Sequence, residues 1–241
     1  MTDRDDLNDG LVELADLISA SVPLEQTMLR IAQYAVDISR NADGAALTLL
    51  EDGGRRVTVA TTSLARTADE AQYQMGEGPA LTARAQQQVV YSTVLVGESA
   101  WPRYASQVGR LGVRSVFAMP LVLDGTVIAV LSIYSCRRRA FNENDALIAE
   151  RYSEPAAAIA HNARVLARSQ IEIEQLREAL RIRPVIDQAI GIIRSRTGKS
   201  EQEAFERLRE ISSTEHIKIS EIARRLVDDA ARRATTKRQE K

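Results

Sequence analysis

The 241-residue chain is 44% hydrophobic and 27% charged, with a net charge of −1, enough apolar content for one or two cores and too much for wholesale disorder. Aromatics make up only 4%, which excludes a platform of stacked rings for single strands. Cys136 is the one cysteine and His161 and His216 the two histidines, which excludes a disulfide framework, leaves no metal site of His/Cys type and gives no cofactor to expect. No run of 18 apolar residues occurs, and the acidic start MTDRDDLNDG is unlike a secretory signal, so a cytoplasmic protein without membrane contact is expected.

Charge is unevenly spread. Residues 1–180 hold 17 Lys+Arg against 23 Asp+Glu, a net −6, and residues 181–241 hold 15 against 10, a net +5. Such asymmetry fits either a C-terminal part that meets a polyanion or an ordinary mixed-charge helical surface.

In chain order, Leu7, Leu11, Leu14, Leu17 and Ile18 recur at helical spacing. Pro23 opens a second helix with Ser21 as its N-cap, and Met28, Ile31, Ala32 and Ala35 continue an apolar stripe. Ala45–Leu50 and Val57–Thr61 flank Asp52-Gly53-Gly54 and read as a hairpin. Val89–Thr93 is a third strand, and Ser115–Val122 and Val127–Ser135 flank the turn Leu123-Asp124-Gly125-Thr126. Consecutive hairpins among helices make an α+β domain with an antiparallel sheet.

From Asn142 the pattern is helical. Tyr152, Ile159, Leu166, Ile173 and Leu180 stand seven apart, with Ala156, Ala163, Gln170 and Arg177 as the second register, and predict a seam that pairs two chains. A single helix lying on its own domain is the other reading. Pro155 either kinks this helix or follows Ser153 as a new cap, and Pro184 marks a bend. Val185 to Ile193 form a dense apolar helix stopped at Gly198. Ser200 and Glu203 form a capping box for a helix with Ala204, Phe205, Leu208 and Ile211, ended by Ser212-Ser213-Thr214. Ile219, Ile222, Ala223, Leu226 and Val227 define a last helix.

Two resemblances fit end to end. Tyr73-Gln74-Met75-Gly76-Glu77-Gly78-Pro79-Ala80-Leu81, Trp101-Pro102-Arg103-Tyr104, Gly112 to Val116, Met119-Pro120-Leu121, Val130 to Ser135 and Ala140-Phe141 carry one. On them, residues about 20–165 resemble a GAF domain, a sensory fold of antiparallel sheet between helices. Many relatives have cysteine where this chain has Ala80, so a thiol role there is absent. Arg183 to Gly191 (RPVIDQAIG), Arg196 to Ser200, Glu203-Ala204-Phe205, Leu208-Arg209 and Ile222-Ala223 carry the other. Residues about 176–230 look like an ANTAR domain, a three-helix RNA-binding module of transcription antiterminators.

The expected layout is a GAF domain with N-terminal helices over 1–150, a coiled-coil linker helix over 151–182, a three-helix ANTAR bundle over 183–234 and a charged tail over 235–241. The ANTAR resemblance implies a regulator that binds paired hairpins in nascent RNA and so prevents the terminator from forming, with a homodimer supplying two modules. Gln188, Gly191, Arg194, Arg196, Lys199, Ser200, Arg209, Lys218, Arg224 and Arg225 are the candidate RNA contacts. Arginine forks bind phosphate and stack on bases, and free N–H groups at Ser200 can receive a phosphate. Gly191 costs about 1 kcal/mol in a helix interior, a reason to expect close approach of another backbone there. Tyr152, Ile159, Leu166, Ile173 and Leu180 are the candidate dimer contacts. Trp101, Met119 and Tyr134 are candidates to line a small-molecule pocket, Met119 and Tyr134 being equally suited to core.

One cysteine cannot close the disulfide cycle of the GAF relatives that reduce oxidised methionine, and no carboxylate pair, nucleophile elbow or P-loop is present, so no catalysis is expected. The alternative is a DNA-binding regulator, since short helices can imitate a helix-turn-helix. Against it, the connection Ser212–Lys218 exceeds the usual three- or four-residue turn.

Overall fold

The computed structural model describes residues 22–39, 41–51, 54 and 56–239, the last six by backbone alone. The expected helix carrying Leu7 to Ile18, its successor's cap Ser21, Asp52-Gly53 of the first turn and the very end of the charged tail lie outside the described residues. Two compact units divide the chain, Met1–Ala167 and Arg168–Lys241.

In the first unit, β1 (Gly44–Leu50), β2 (Arg56–Ala60), β3 (Val90–Ser92), β4 (Ser115–Leu123) and β5 (Thr126–Ser135) form one antiparallel sheet in the order β2-β1-β5-β4-β3. The β4–β5 turn is closed by Asp124 and Gly125 at φ 49° and 73°. Left-handed conformation at both central residues matches the twist of the two strands, which is why Asp-Gly marks this hairpin.

β1, β4 and β5 lie inside the sheet and are covered on both faces, so they are apolar at nearly every position. On one face Leu47, Leu49, Phe117, Met119, Leu121, Leu131 and Ile133 pack against α1 (Leu24–Ile38) and the start of α5 (Glu143–Thr197). On the other, Ala46, Val116 and Tyr134 pack against α2 (Ser63–Met75) and α4 (Pro102–Arg110). Ala118 and Val130 meet α3 (Pro79–Gln86) through Ala80 and Ala83.

This alternation corrects the expected pocket. Trp101 and Tyr134 lie under one face and Met119 under the other, so the three do not converge. All three are buried. Trp101 Nε1 donates to Thr82 Oγ1 at 2.9 Å. Met119 borders two hollows, one of about 30 Å³ beside Phe117 and Tyr152 with room for a water, and one of about 390 Å³ beside Tyr91 and Glu150; neither is lined by Trp101 or Tyr134.

The two GAF-like motifs meet physically. Glu77 accepts from the backbone N–H groups of Arg103 at 2.6 Å and Tyr104 at 2.9 Å, and from Arg103 Nε at 3.2 Å. A carboxylate thus closes the N-terminus of α4, whose first helical position is Pro102. The Tyr104 N–H holds the Glu77 carboxyl below its ordinary range.

α5 also corrects two expectations. It runs as one helix from Glu143 to Thr197, so Ser153 caps no new helix at Pro155 and Pro184 does not interrupt it. Tyr152 and Ile159 are buried in the first unit's own core, with Tyr152 OH donating to Ile31 O at 2.8 Å. A side chain sealed in its own core cannot line a seam between chains, so both leave the dimer set. Leu166, Ile173, Leu176 and Leu180 are 41%, 47%, 66% and 71% exposed.

The second unit contains the end of α5, α6 (Glu201–Glu215) and α7 (Ile219–Gln239). Ala189, Ile190 and Ile193 pack with Ala204, Leu208, Ile222 and Ala223. Gly198 at φ 70° stops α5, its N–H donating to Arg194 O at 2.9 Å. α6 runs past Ser212-Ser213-Thr214 to Glu215, and Phe205, expected in the core, is 41% exposed. α7 runs to Gln239, so the tail expected from residue 235 starts inside a helix. No helix among the described residues is long and apolar enough to cross a membrane, and no group of His, Cys, Asp and Glu among them could hold a metal.

Between α2 and the sheet lies a buried carboxylate without a cation. Asp69 accepts from Thr48 Oγ1 at 2.7 Å, Tyr134 OH at 2.9 Å and Gln72 Nε2 at 3.1 Å. Burial pushes its carboxyl above the ordinary range, and these bonds offset only part of that. An acid whose pKa is raised by folding contributes most below its unfolded value near 3.9 and loses that contribution as pH rises through the folded value. Asp69→Asn removes the ionisation. The stability of Asp69→Asn relative to the native chain, read from urea unfolding, is therefore expected to increase as pH is raised from 4 toward 8. A pH-independent difference would contradict a raised Asp69.

Candidate nucleic-acid interface

Helical spacing brings Gln188, Gly191, Ile192, Ser195 and Arg196 onto one side of α5. Val227, Ala230 and Ala231 of α7 face them, and the two helices enclose a groove of about 520 Å³. Three of the ten candidate contacts, Gln188, Gly191 and Arg196, therefore share one site. Ser195, Ala230 and Ala231 were not singled out in the sequence. Their signal is the i, i+3, i+4, i+7, i+8 spacing from Gln188, with small residues opposite.

Gly191 is exposed, and a Cβ built on it meets no atom within 4 Å. Packing within the chain therefore does not require glycine there. The groove has an amide at one end, a guanidinium at the other and an open backbone between.

The remaining candidates lie outside this groove and differ in how far their charge is spent. Arg194 lies 3.9 Å from Glu201, and Arg225 reaches Glu221 at 2.9 Å and Glu215 at 3.8 Å. All of these side chains are about half exposed or more, so the pairs are weak and exchangeable. Arg196, Arg209, Lys218 and Arg224 are exposed and form no ion pair among the described residues. Lys199 is exposed at the turn and helps to keep Glu203 ionised.

Ser200 is corrected. Its Oγ accepts from Glu203 N at 3.3 Å and donates to Glu203 Oε2 at 2.7 Å, while Ser200 N donates to the same oxygen at 2.9 Å. The capping box is complete. Glu203 occupies Ser200 N, Ser200 Oγ accepts from Glu203 N, and Glu201 stands beside them, so the local charge at the N-terminus of α6 disfavours a phosphate.

The connection between α6 and α7 is also corrected. It spans only residues 216–218, with His216 left-handed at φ 56° and Ile217 N donating to Ser212 O at 3.2 Å. That length suits a helix-turn-helix, so the long-connection objection to DNA binding falls.

The GAF domain family matches residues 21–160. The chain belongs to the GAF domain family. An ANTAR domain follows over residues 174–227, a span that holds Gln188, Gly191 and Arg196. Together the two domains are those of a regulator with a sensing or dimerising GAF domain.

Solved structures with a similar fold include the GAF domain from an Acinetobacter phosphoenolpyruvate-protein phosphotransferase, at 15% identity and a TM-score of 0.49, covering 68% of this chain and 97% of that one. The corresponding GAF domain from Coxiella burnetii also has 15% identity and a TM-score of 0.49, covering 66% and 95%. A free methionine-R-sulfoxide reductase from Neisseria meningitidis, in complex with its substrate, has 15% identity and a TM-score of 0.47, covering 66% and 90%. No curated protein matches the chain.

The Ser200 cap gives a direct check on the ANTAR domain. Ser200→Ala is expected to cost about 1 kcal/mol in denaturant unfolding. Hydrogen bonds from Ser200 hold the Glu203 carboxyl below its ordinary range, so this loss is full at neutral pH and shrinks as pH falls through that lowered value. In a gel-shift titration with RNA the folded variant is expected to match the native chain. A selective loss of affinity would restore Ser200 as a contact.

Proposed function

We propose that this chain is a dimeric, RNA-binding transcription antitermination regulator without catalysis of its own. The ANTAR domain grips hairpins of a nascent transcript and so excludes the overlapping terminator hairpin. The observation that carries this reading is the groove over Gly191. RNA loops are recognised through splayed bases, shape and phosphate contacts. Gln188 can hydrogen-bond a base edge, Arg196 can stack on a base or clasp a phosphate, and the bare backbone at Gly191 admits either closely.

Gly191 separates this reading from a structural one. Gly191→Ala is expected to stabilise the helix by about 1 kcal/mol and yet weaken binding of a two-hairpin RNA by about tenfold, since a lost contact of 1–2 kcal/mol has that effect. Arg196→Ala is expected to lower affinity and reduce the salt slope by about one. A stabilised Gly191→Ala variant with native RNA affinity in a gel-shift titration would contradict the groove's role.

Two modules on one dimer raise the effective concentration for the second hairpin. Within the ANTAR unit's stretch of α5, Ile173, Leu176 and Leu180 supply a bare a/d seam, in which Leu176 replaces Gln170 and Arg177 as the second register. Glu172 and Arg177 then fall at flanking g and e positions, which oppose each other in a parallel pair. Leu176→Glu is expected to yield a monomer in sedimentation. Glu172→Arg is expected to weaken the dimer and Glu172→Arg with Arg177→Glu to restore it. A native chain that is monomeric at tens of micromolar would overturn the seam.

Duplex DNA binding is the second reading, favoured by the short α6–α7 connection. It is weaker on charge, because Glu221 places a carboxylate in the first turn of α7, where a recognition helix meets phosphates.

A further inference from the structure

Three arginines gather at one groove on the surface of the GAF domain. This groove, of about 600 Å³, runs between α4, the loop preceding it and the chain that leaves β5. Its volume falls in the range of small-ligand sites. It is separate from the ANTAR groove and from the hollows beside Met119.

Arg114 is the prepared element. It is half-buried, and its Nη1 donates to Gly109 O at 2.7 Å and Val113 O at 3.2 Å. Those carbonyls fix one nitrogen of the guanidinium, while its Nε and Nη2 donate to nothing among the described residues. A guanidinium fixed in this way loses little freedom when it binds an oxyanion. Arg110 and Arg138 line the same groove, exposed and without an ion pair among the described residues.

Neutral donors and a close-packing wall complete the surface. Ser99 and Ser106 line it with hydroxyls that make no hydrogen bond among the described residues. Ala105, Ser106 and Gly109 give α4 a low face against which a ligand can lie. Val96, 49% exposed, supplies an apolar patch. Glu98 is the one carboxylate in the lining, and its oxygens already accept from Ser92 Oγ at 2.9 Å and Ala100 N at 3.3 Å. Three cations against one engaged carboxylate select an anion with more than one charge.

We propose that this groove binds a small organic phosphate, with Arg110, Arg114 and Arg138 on the phosphoryl oxygens and the organic part over Val96 and the Ala105–Gly109 face. The proposal does not depend on the RNA reading. A concave site of this size with an apolar patch suits a small molecule better than a continuous nucleic-acid backbone, which would need an open cationic track.

Isothermal titration of the full chain with 1-naphthyl phosphate and with inorganic phosphate tests it. The expected result is saturable one-site binding, tighter for the naphthyl ester and weakened by added salt. Arg110→Ala with Arg138→Ala, both exposed and dispensable for folding, is expected to weaken it by about tenfold or more, while two-hairpin RNA affinity stays native. No saturable binding at millimolar concentration would overturn the proposal, as would unchanged binding in the double variant. Loss of RNA affinity in that variant without any phosphate binding would also overturn it, by assigning the arginines to an RNA backbone.

Discussion

One helix, Glu143–Thr197, supplies apolar surface to two separate cores, and this demand shapes most of the molecule. Tyr152, Ala156 and Ile159 are sealed into the GAF core, and Ala189, Ile190 and Ile193 into the ANTAR core. Between them the same helix turns Ile173, Leu176 and Leu180 to solvent. A large apolar residue on every turn of an exposed segment is costly unless something covers it. That tension connects the dimer reading to the fold: the segment between the cores has the periodicity of a packed helix and no core around it among the described residues.

The ANTAR unit divides its cations in the same economical way. Ion pairs with glutamates occupy Arg194 and Arg225, whereas Arg196 and Arg224 remain unpaired among the described residues. The helix also keeps Gly191 where alanine would fit without a clash and would favour the helix by about 1 kcal/mol. No neighbour among the described residues requires glycine there, which is what the proposed RNA contact would account for. Trp101 and Tyr134 are committed to packing, and the arginine groove beside α4 is the more open place for a small effector to act.

Much of the architecture was legible in local chemistry. Asp124-Gly125 fixed a hairpin, Gly198 a helix end and Ser200 with Glu203 a helix start, because each depends on residues within four positions of itself. The failures have equally definite causes. Met119 and Tyr134 lie on opposite faces because strand parity and the β4–β5 register decide the face, and register is a non-local property. Tyr152 and Ile159 fit a heptad, but a seven-residue repeat cannot tell packing against α1 of the same chain from packing against a second copy. Ser153 was one reading of a new cap before Pro155, yet the helix continues through that proline and through Pro184, because a proline removes a single helical hydrogen bond while the turns around it keep theirs. In the groove, Gln188, Gly191 and Arg196 were singled out through their chemistry and the resemblance. Ala230 and Ala231 were missed because a small residue announces nothing until the helix opposite is known.

The central claim is that the ANTAR unit recognises folded RNA and not nucleic acid in general. Competition at a fixed, physiological salt concentration tests it most directly: a labelled two-hairpin RNA bound to the full chain is displaced either by the same RNA unlabelled or by duplex DNA with equal phosphate number. The account predicts that the DNA is at least about a hundredfold weaker, because shape and base contacts add to a phosphate attraction that both share. Equal displacement by the two would reduce the interaction to phosphate attraction alone, and stronger displacement by the duplex would make the chain a DNA-binding regulator.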